Sequence, residues 1–215
     1  LEHEHQYGKT EMWYVLEAEP GATLYYGFTH EISKEEFERR IQDNTLTDVL
    51  NAVPVHKGDC FFIPSGTLHA IRKGIVVAEI QQNSNTTYRV YDYGRVGKDG
   101  KPRELHVKKA IDVTNLELVK ERPHLDATID IFEGTAARLL ASCEYFTVYE
   151  LDVDGTSHLT AGEDSFQSFT VLDGSVTLRT ADSELTFQKG ETSFLPAGLG
   201  AYTLTGKARL VLSKI

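Results

Sequence analysis

One sequence motif occurs twice in this chain, and only one copy ends in a histidine. The first copy has Gly58, Pro64, Gly66 and His69, and the second repeats the same spacing with Gly190, Pro196, Gly198 and Ala201. In each copy an apolar stretch precedes Pro-x-Gly, which favours a tight turn because proline fixes φ and glycine tolerates positive φ. The repeat therefore predicts a strand, a turn and a returning strand in each half of the chain.

Strand patterns continue through most of the sequence. They predict strands at 11–16, 23–29, 75–81 and 88–93 in the first half and at 145–153, 167–172, 175–179, 184–187, 192–195 and 209–212 in the second half. Asp154-Gly155 and Asp173-Gly174 are predicted turns between them. Short strands at regular intervals favour closed sandwiches or barrels, since closure removes exposed edges. The predicted fold is mainly β, with one barrel in 1–112 and another in 113–215.

Two helical segments are predicted in the first half. Ser33 to Glu36 form a capping box, and the apolar residues after it have helical spacing, so we expect a helical insertion of one or two short helices at about 33–51. A second short helix is predicted at 104–111, after a loop rich in glycine.

Composition limits the classes of partner. The 22 basic and 32 acidic residues give a formal charge of −10, which opposes sequence-independent binding to nucleic acid or to an anionic membrane. Cys60 and Cys143 lie in different halves, so we predict no structural disulfide and a reducing compartment. No apolar run is long enough to span a bilayer. These features favour a cytoplasmic protein.

His69 is the leading candidate for a metal ligand. The fold tolerates Ala201 at the equivalent position, so the histidine has another role, although a half-buried structural histidine is the alternative. Upstream, His3-x-His5 and Glu11 provide further ligand types, and Lys9 shares a strand face with Glu11. Two histidines and a carboxylate suit zinc, Fe(II) or manganese.

Arg89 is the other unusual residue, because it lies between tyrosines and a valine on a predicted strand. An arginine in such a place needs a partner when buried. Pairing with Asp92 or Glu79 would give it a structural role. Reaching into the barrel to hold an anionic group would give it a functional role.

These motifs carry family resemblances. The repeated motif resembles the second motif of the cupins, with Lys73 where many members have asparagine. The segments GKTEMWYVL, IPSGTLHAI, QQNSNTTYRVYDYGR and RELHVKKAIDV together resemble the short bacterial class I mannose-6-phosphate isomerases over nearly the whole chain. The resemblance implies a zinc-dependent cytoplasmic enzyme with a catalytic cupin-type β-barrel (jelly roll), a helical insertion and a degenerate C-terminal cupin.

The resemblance also implies roles for individual residues. Glu11 and His69 correspond to two zinc ligands, Lys9 to a polar partner in the same loop and Arg89 to a catalytic arginine, with Lys9 and Arg89 binding the substrate. In the family the other two zinc ligands come from an upstream Gln-Val-His-Pro segment. We therefore interpret the chain, which begins at Leu1, as N-terminally truncated, with His3 and His5 as candidate substitute ligands.

Three functions are consistent with these residues. The leading hypothesis is a metal-dependent isomerase of mannose 6-phosphate and fructose 6-phosphate, with the activity of this fragment left open. A non-catalytic sugar-phosphate-binding bicupin is the second, and an Fe(II) cupin dioxygenase using His3, His5, Glu11 and His69 is the third. The expected partner is a small sugar phosphate, held by Arg89, Lys9 and basic residues such as Lys108 or Lys109. The catalytic base and the oligomeric state are left open.

Overall fold

The computed structural model describes residues 7–92, 96–101, 103–119 and 132–215, and the backbone of 127–129. The chain is mainly β and divides into two compact units, Leu1–Arg122 and Pro123–Ile215. His3 and His5 lie outside the described residues. Within the described part, no helix is long and apolar enough to cross a membrane. Cys60 and Cys143 form no disulfide.

The first unit contains two antiparallel sheets of three strands each. Its strands are β1 (Glu11–Ala18), β2 (Thr23–Phe28), β3 (Leu50–Pro54), β4 (Cys60–Ile63), β5 (His69–Ile71) and β6 (Ile75–Gln81). One sheet has the order β4-β1-β6 and the other β3-β2-β5. Alternate side chains from the two sheets share one core, which includes Trp13, Val15, Leu24 and Phe61. The two sheets therefore pack face to face, as period-2 burial predicts.

Helices form a second apolar cluster in the first unit. They are α1 (Lys34–Gln42), a short 3-10 helix (Leu46–Val49) and α2 (Val107–Val113). Ser33 caps α1, since the Glu36 backbone N–H donates to Ser33 Oγ at 3.1 Å, which confirms the predicted cap. Phe37 on α1 is fully buried and meets the ring of Phe28 edge-on, with centroids 5.8 Å apart.

The strand predicted at 88–93 is wrong for its described residues, 88–92, which form no strand. The Arg89 N–H donates to His106 Nδ1 at 3.2 Å, and the His106 N–H donates to the Arg89 carbonyl at 2.7 Å. These backbone and ring groups pair with each other just before α2. The segment is consequently a loop that lies beside α2 rather than a strand of a sheet.

The described residues of the second unit form one sheet of seven strands. Its strands are β7 (Ala127–Ile129), β8 (Glu133–Ser142), β9 (Thr147–Ala161), β10 (Gln167–Arg179), β11 (Glu184–Gln188), β12 (Thr192–Leu195) and β13 (Gly200–Lys214). The order is β11-β10-β13-β9-β8-β7, and β12 also pairs with β10. A large buried core lines one face of the sheet, with Leu151, Phe169, Leu204 and Leu210 among its members.

Two predicted turns in this unit are wrong. Asp154-Gly155 lies inside β9 and Asp173-Gly174 lies inside β10, so the predicted strands 167–172 and 175–179 are one strand. The register of β10 against β13 shifts between Val171 and Asp173, and Gly174 has a φ of +75°. Glycine allows this bulge within a strand because it has no Cβ to oppose positive φ. The chain bends there without ending the strand.

Candidate functional site

The two motif copies fold with the same local geometry. Each begins with a glycine N–H that donates to a valine carbonyl at 2.8 Å, in the pairs Gly58–Val15 and Gly190–Val171. The residue before each motif proline pairs across the sheet with the polar residue of the preceding core strand, in the pairs Ile63–Glu11 and Leu195–Gln167. Position for position, Glu11 therefore corresponds to Gln167 and His69 to Ala201.

A charged cluster surrounds Lys9 in the first unit. Its Nζ donates to Glu11 Oε2 at 2.8 Å and to Glu79 Oε1 at 2.6 Å. The indole N–H of Trp13 is shared by the same two carboxylates, at 3.2 Å from Glu11 Oε2 and 3.1 Å from Glu79 Oε2. β1 and β6 create this arrangement, because Trp13 lies directly opposite Glu79 in the register. Burial of Glu11 is tolerated because all of these donors face it.

His69 meets the other oxygen of Glu11. Its Nε2 lies 3.1 Å from Glu11 Oε1, and its Nδ1 lies 2.7 Å from the Thr67 carbonyl oxygen. A carbonyl only accepts, so this contact assigns a proton to Nδ1. Nε2 then faces the carboxylate either as a donor in imidazolium or as a lone pair directed at a bound cation. The edge of the Trp13 ring system lies against the imidazole, with centroids 5.0 Å apart.

Electrostatics favours the charged forms of Lys9 and Glu11. Burial acts to raise the pKa of Glu11, but hydrogen bonds from His69 and Lys9 lower it to about 2. Burial acts to lower the pKa of Lys9, but the carboxylates of Glu11 and Glu79 raise it above its ordinary value. Lys9 is therefore a cation at neutral pH, and a cation beside two carboxylates acts as a hydrogen-bond donor rather than as a base.

Two of the described side chains, Glu11 and His69, have the spacing of neighbouring metal ligands. Two zinc ligands with bonds of about 2.1 Å in a tetrahedral shell lie roughly 3.4 Å apart, close to the 3.1 Å between Glu11 Oε1 and His69 Nε2. Among the described residues, however, no group of three or more His, Cys, Asp or Glu side chains is placed to hold a metal. A catalytic zinc site uses three protein ligands. Glu11 and His69 fit two positions, and the described chain does not complete the site.

A pocket of about 450 Å³ opens beside this cluster. Lys9, Glu11, His69 and Arg89 all line it, so the structure brings together the predicted site residues that it describes. Further polar lining comes from hydroxyl groups: Tyr7, Tyr25, Ser65, Thr67, Thr86, Thr87, Tyr88, Tyr91 and Thr114. Such a volume, lined by a few charged groups and several hydroxyls, suits a small polar ligand.

Arg89 has only weak partners among the described residues. Its Nη1 donates to the Glu104 carbonyl at 3.4 Å, and its Nε lies 3.9 Å from Asp92 Oδ1. The Asp92 carboxylate is bound by Arg103 through two hydrogen bonds. The alternative pairing of Arg89 with Glu79 does not form, because Glu79 binds Lys9 and Trp13 instead. Arg89 thus lines the pocket and makes the predicted pairing with Asp92 only as a long ion pair.

Glu79 is the member of the cluster that sequence reasoning missed as a site residue. Its side chain is separated from Lys9 by 70 positions along the chain and reaches it only through the pairing of β1 with β6. A charged residue in the otherwise apolar run of β6 was the available indication. Lys108 and Lys109 are exposed and do not line the pocket.

The second unit replaces the charged cluster by neutral groups. Gln167 Nε2 donates to the Thr160 carbonyl at 2.9 Å, and the Tyr202 hydroxyl donates to Gln167 Oε1 at 2.6 Å. Phe169 and Leu212 pair across the sheet as Trp13 and Glu79 do in the first unit. The position of the motif histidine holds Ala201, so this unit retains the strand geometry without the ligands.

Known proteins resemble the chain closely. A family model described as mannose-6-phosphate isomerase, cupin domain, matches residues 136–215. Mannose-6-phosphate isomerase ManA of Bacillus subtilis (strain 168) is 38% identical over 97% of the chain and 65% of its own length. The crystal structure of mannose 6-phosphate isomerase from Bacillus subtilis matches with a TM-score of 0.88 at 36% identity, covering 99% of this chain and 66% of that one.

A more distant structure shares the fold. A mannose 6-phosphate isomerase bound with zinc and yttrium matches with a TM-score of 0.68 at 14% identity, over 95% of this chain and 66% of that one. The chain thus spans 65% to 66% of the length of these relatives.

Proposed function

Since the chain belongs to the mannose-6-phosphate isomerase family, with its cupin domain, we propose that it supplies the residues that interconvert mannose 6-phosphate and fructose 6-phosphate. The observation that carries the proposal is the cluster of Lys9, Glu11 and His69 in the lining of a pocket that Arg89 also lines. The relatives bear the name of this reaction, and the pocket has the cations that a phosphosugar needs.

We also propose that the two parts of the chain have the different roles predicted from the sequence, one catalytic and one not. Residues 1–112 form the catalytic cupin-type barrel and 113–215 form the degenerate one. The shared register around Glu11 and Gln167 supports a common origin of the two. The loss of ligand types in the second unit supports its non-catalytic role. The cytoplasmic location stays a prediction.

We propose zinc as the metal, with Glu11 and His69 as two of its ligands. With Nδ1 protonated toward the Thr67 carbonyl, Nε2 of His69 is the atom that would bind a cation beside Glu11 Oε1, in place of the proton that it shares with this carboxylate. Within this sequence, His3 and His5 are the candidates for remaining ligands. When bound, zinc supplies Lewis acidity, which polarises sugar oxygen atoms.

Lys9 has the position and charge of an electrophilic group. Aldose–ketose isomerisation moves a proton between neighbouring carbons through an enediol, and negative charge develops on a sugar oxygen. The Lys9 ammonium has three N–H donors, of which Glu11 and Glu79 accept two. The third is available for the substrate oxygen. Because its pKa is raised, Lys9 is a donor in this scheme and not the base.

Glu79 and Trp13 keep Lys9 oriented. Glu79 Oε1 accepts from Nζ, and its other oxygen accepts from the Trp13 indole, so the carboxylate is held from two sides. Arg89, in the pocket wall, is the second cation and holds a phosphate or sugar oxygen by charge-assisted hydrogen bonds. This arrangement fixes both ends of an anionic sugar relative to the Glu11–His69 pair.

The test is a coupled assay of mannose 6-phosphate conversion on the natural protein that contains this sequence, with its metal content measured beside it. Lys9→Met should reduce kcat/KM by about 100-fold, as loss of an oxyanion donor does. Lys189→Met, which removes an exposed lysine of the second unit, is the matched control and should leave kcat/KM unchanged.

Other results of these measurements would favour one of the two alternative functions. Binding of the sugar phosphate without turnover would indicate the non-catalytic bicupin. Bound iron with oxygen uptake would indicate the dioxygenase. Equal turnover by Lys9→Met and the wild-type protein would contradict the assigned role of Lys9.

A further inference from the structure

Three of the segments that line the pocket, all in the first unit, are joined near Thr10. The first precedes β1 and carries Lys9, the second is the motif turn that leads to His69, and the third follows β6 and carries Arg89. The Ser65 N–H lies 3.4 Å from Thr10 Oγ1, which ties the motif turn to the first segment. The attachment of the third segment involves two buried polar side chains that the proposed chemistry does not use.

Gln82 makes the first of these connections. The ladder between β1 and β6 ends at the pair Glu11–Gln81. One step further, the Gln82 N–H donates to the Thr10 carbonyl at 3.0 Å, but the Thr10 N–H donates to the side-chain Oε1 of Gln82 at 2.8 Å. The Gln82 side-chain oxygen thus takes the place of the backbone carbonyl that would accept this hydrogen bond if the pairing of the two strands continued. The Gln82 carbonyl is released to accept from the Ser84 N–H at 2.7 Å, and the chain turns out of the sheet.

Ser84 makes the second connection. Its hydroxyl donates to the Tyr7 carbonyl at 2.8 Å and lies 3.2 Å from the Thr86 N–H, which donates to it. One hydroxyl therefore joins two residues that line the pocket, one on each segment. Ser84 is only 8% exposed and Gln82 only 9%, so water does not compete freely for these hydrogen bonds.

We propose that Gln82 and Ser84 are positioning residues for the active site. Their side chains hold the segment that carries Lys9 and the segment that carries Arg89 at a fixed separation across the pocket. The inference rests on the proposed isomerase function, because it concerns how the two cations are placed around one substrate. Misplacement of a catalytic group by about 1 Å can reduce a rate by about 100-fold.

The experiment compares variants of the natural protein in the mannose 6-phosphate assay. Ser84→Ala removes both hydrogen bonds of the hydroxyl, Ser84→Thr retains a hydroxyl, and Gln82→Met removes the side-chain acceptor with little change of size. Gln167→Met is the matched control, because Gln167 is equally buried and makes two side-chain hydrogen bonds, but in the second unit. Thermal unfolding of each variant is measured beside kcat and KM.

Ser84→Ala and Gln82→Met should each reduce kcat/KM by about 10- to 100-fold. Ser84→Thr should recover most of the loss, and Gln167→Met should lower the unfolding temperature without lowering kcat/KM. The inference is overturned when Ser84→Ala keeps the wild-type kcat and KM. It is also overturned when Gln167→Met loses as much activity as the two pocket variants, because the effect is then one of general stability.

A second measurement separates this inference from the proposed function. A wild-type protein that does not isomerise mannose 6-phosphate contradicts the proposed function alone. Amide hydrogen exchange then tests the connection directly. The Thr86 amide should exchange at least about 10-fold faster in Ser84→Ala, and the Thr10 amide in Gln82→Met, because each loses its acceptor. Unchanged protection at both amides would overturn the inference.

Discussion

At the scale of single residues, the positions of Glu11 and Gln167 separate a charged site from a neutral one. Both are buried on a core strand and pair with the residue before a motif proline. Glu11 is surrounded by the cation Lys9, an indole N–H and an imidazole, whereas Gln167 is satisfied by a carbonyl and a tyrosine hydroxyl. The charge of the buried residue thus matches its partners in each unit.

Tyr202 provides a pH-dependent test at this scale. Burial raises its pKa above the ordinary value of 10.0, so the folded state favours the protonated phenol. Above pH 10 the unfolded chain binds fewer protons than the folded one, and the free energy of unfolding falls as the pH rises. Tyr202→Phe should lower this free energy by about 1 kcal/mol at pH 7, through the lost hydrogen bond to Gln167.

The variant should also have a flatter stability profile above pH 10, because its titrating group is gone. Urea denaturation from pH 7 to 11 measures both effects. Parallel profiles for Tyr202→Phe and the wild-type protein would show that the burial of this phenol does not contribute to the alkaline loss of stability.

At the scale of elements, two glycines with positive φ, Gly174 and Gly190, differ in how closely another strand approaches them. Gly174 lies within β10 and faces the backbone of β13, where an added Cβ would overlap the Lys207 carbonyl oxygen. Gly190 has a similar φ of +88°, but a Cβ there would meet nothing within 4 Å. Positive φ is thus common to both, and only Gly174 combines it with a close approach of another strand.

Gly174→Ala and Gly190→Ala test this difference. Gly190→Ala should lower the free energy of unfolding by about 1 to 2 kcal/mol, from backbone strain alone. Gly174→Ala should cost about 2 kcal/mol more, because the β13 backbone must move as well. Denaturation of the two variants under the same conditions measures the gap. Equal losses would mean that the contact with Lys207 is relieved without a free-energy cost.

At the scale of the whole molecule, the second unit indicates which residues the repeated motif needs in order to fold. Ala201 occupies the position of His69, so the strand and turn form without the histidine. His69→Ala should therefore leave the fold intact and remove metal binding. In metal-free protein it should cost about 1 to 3 kcal/mol, because buried Glu11 loses a partner at Oε1.

Adding Glu11→Gln to His69→Ala gives the first unit the glutamine and the alanine that the second unit has at the equivalent positions. The double variant should regain stability relative to His69→Ala, since the buried charge is removed with its lost partner. Denaturation with a chelator present measures this recovery, and zinc analysis of each variant measures metal binding. A double variant that is less stable than His69→Ala would show that the first unit does not accept the glutamine and alanine of the second unit at these two positions.

Local patterns in the sequence were enough to predict the mainly β class, the capped helix at Ser33 and the repeated turn. They also indicated Glu11 and His69 as candidate site residues. These features depend on alternation, turn residues and spacing within short segments, which sequence alone contains. The pocket that joins them to Lys9 and Arg89 agrees with the predicted set, although the roles of these residues stay predictions.

Only the tertiary structure decided which residues of distant segments pair with one another. Glu79 reaches Lys9 across 70 positions, residues 88–92 leave the sheet because their backbone pairs beside α2, and β10 continues through Asp173-Gly174 because β13 lies alongside it. An alternating pattern assigns a residue to a face of a strand but does not identify the residue opposite. Register and hydrogen-bond partners arise from distant segments, so they become known only when the chain has folded.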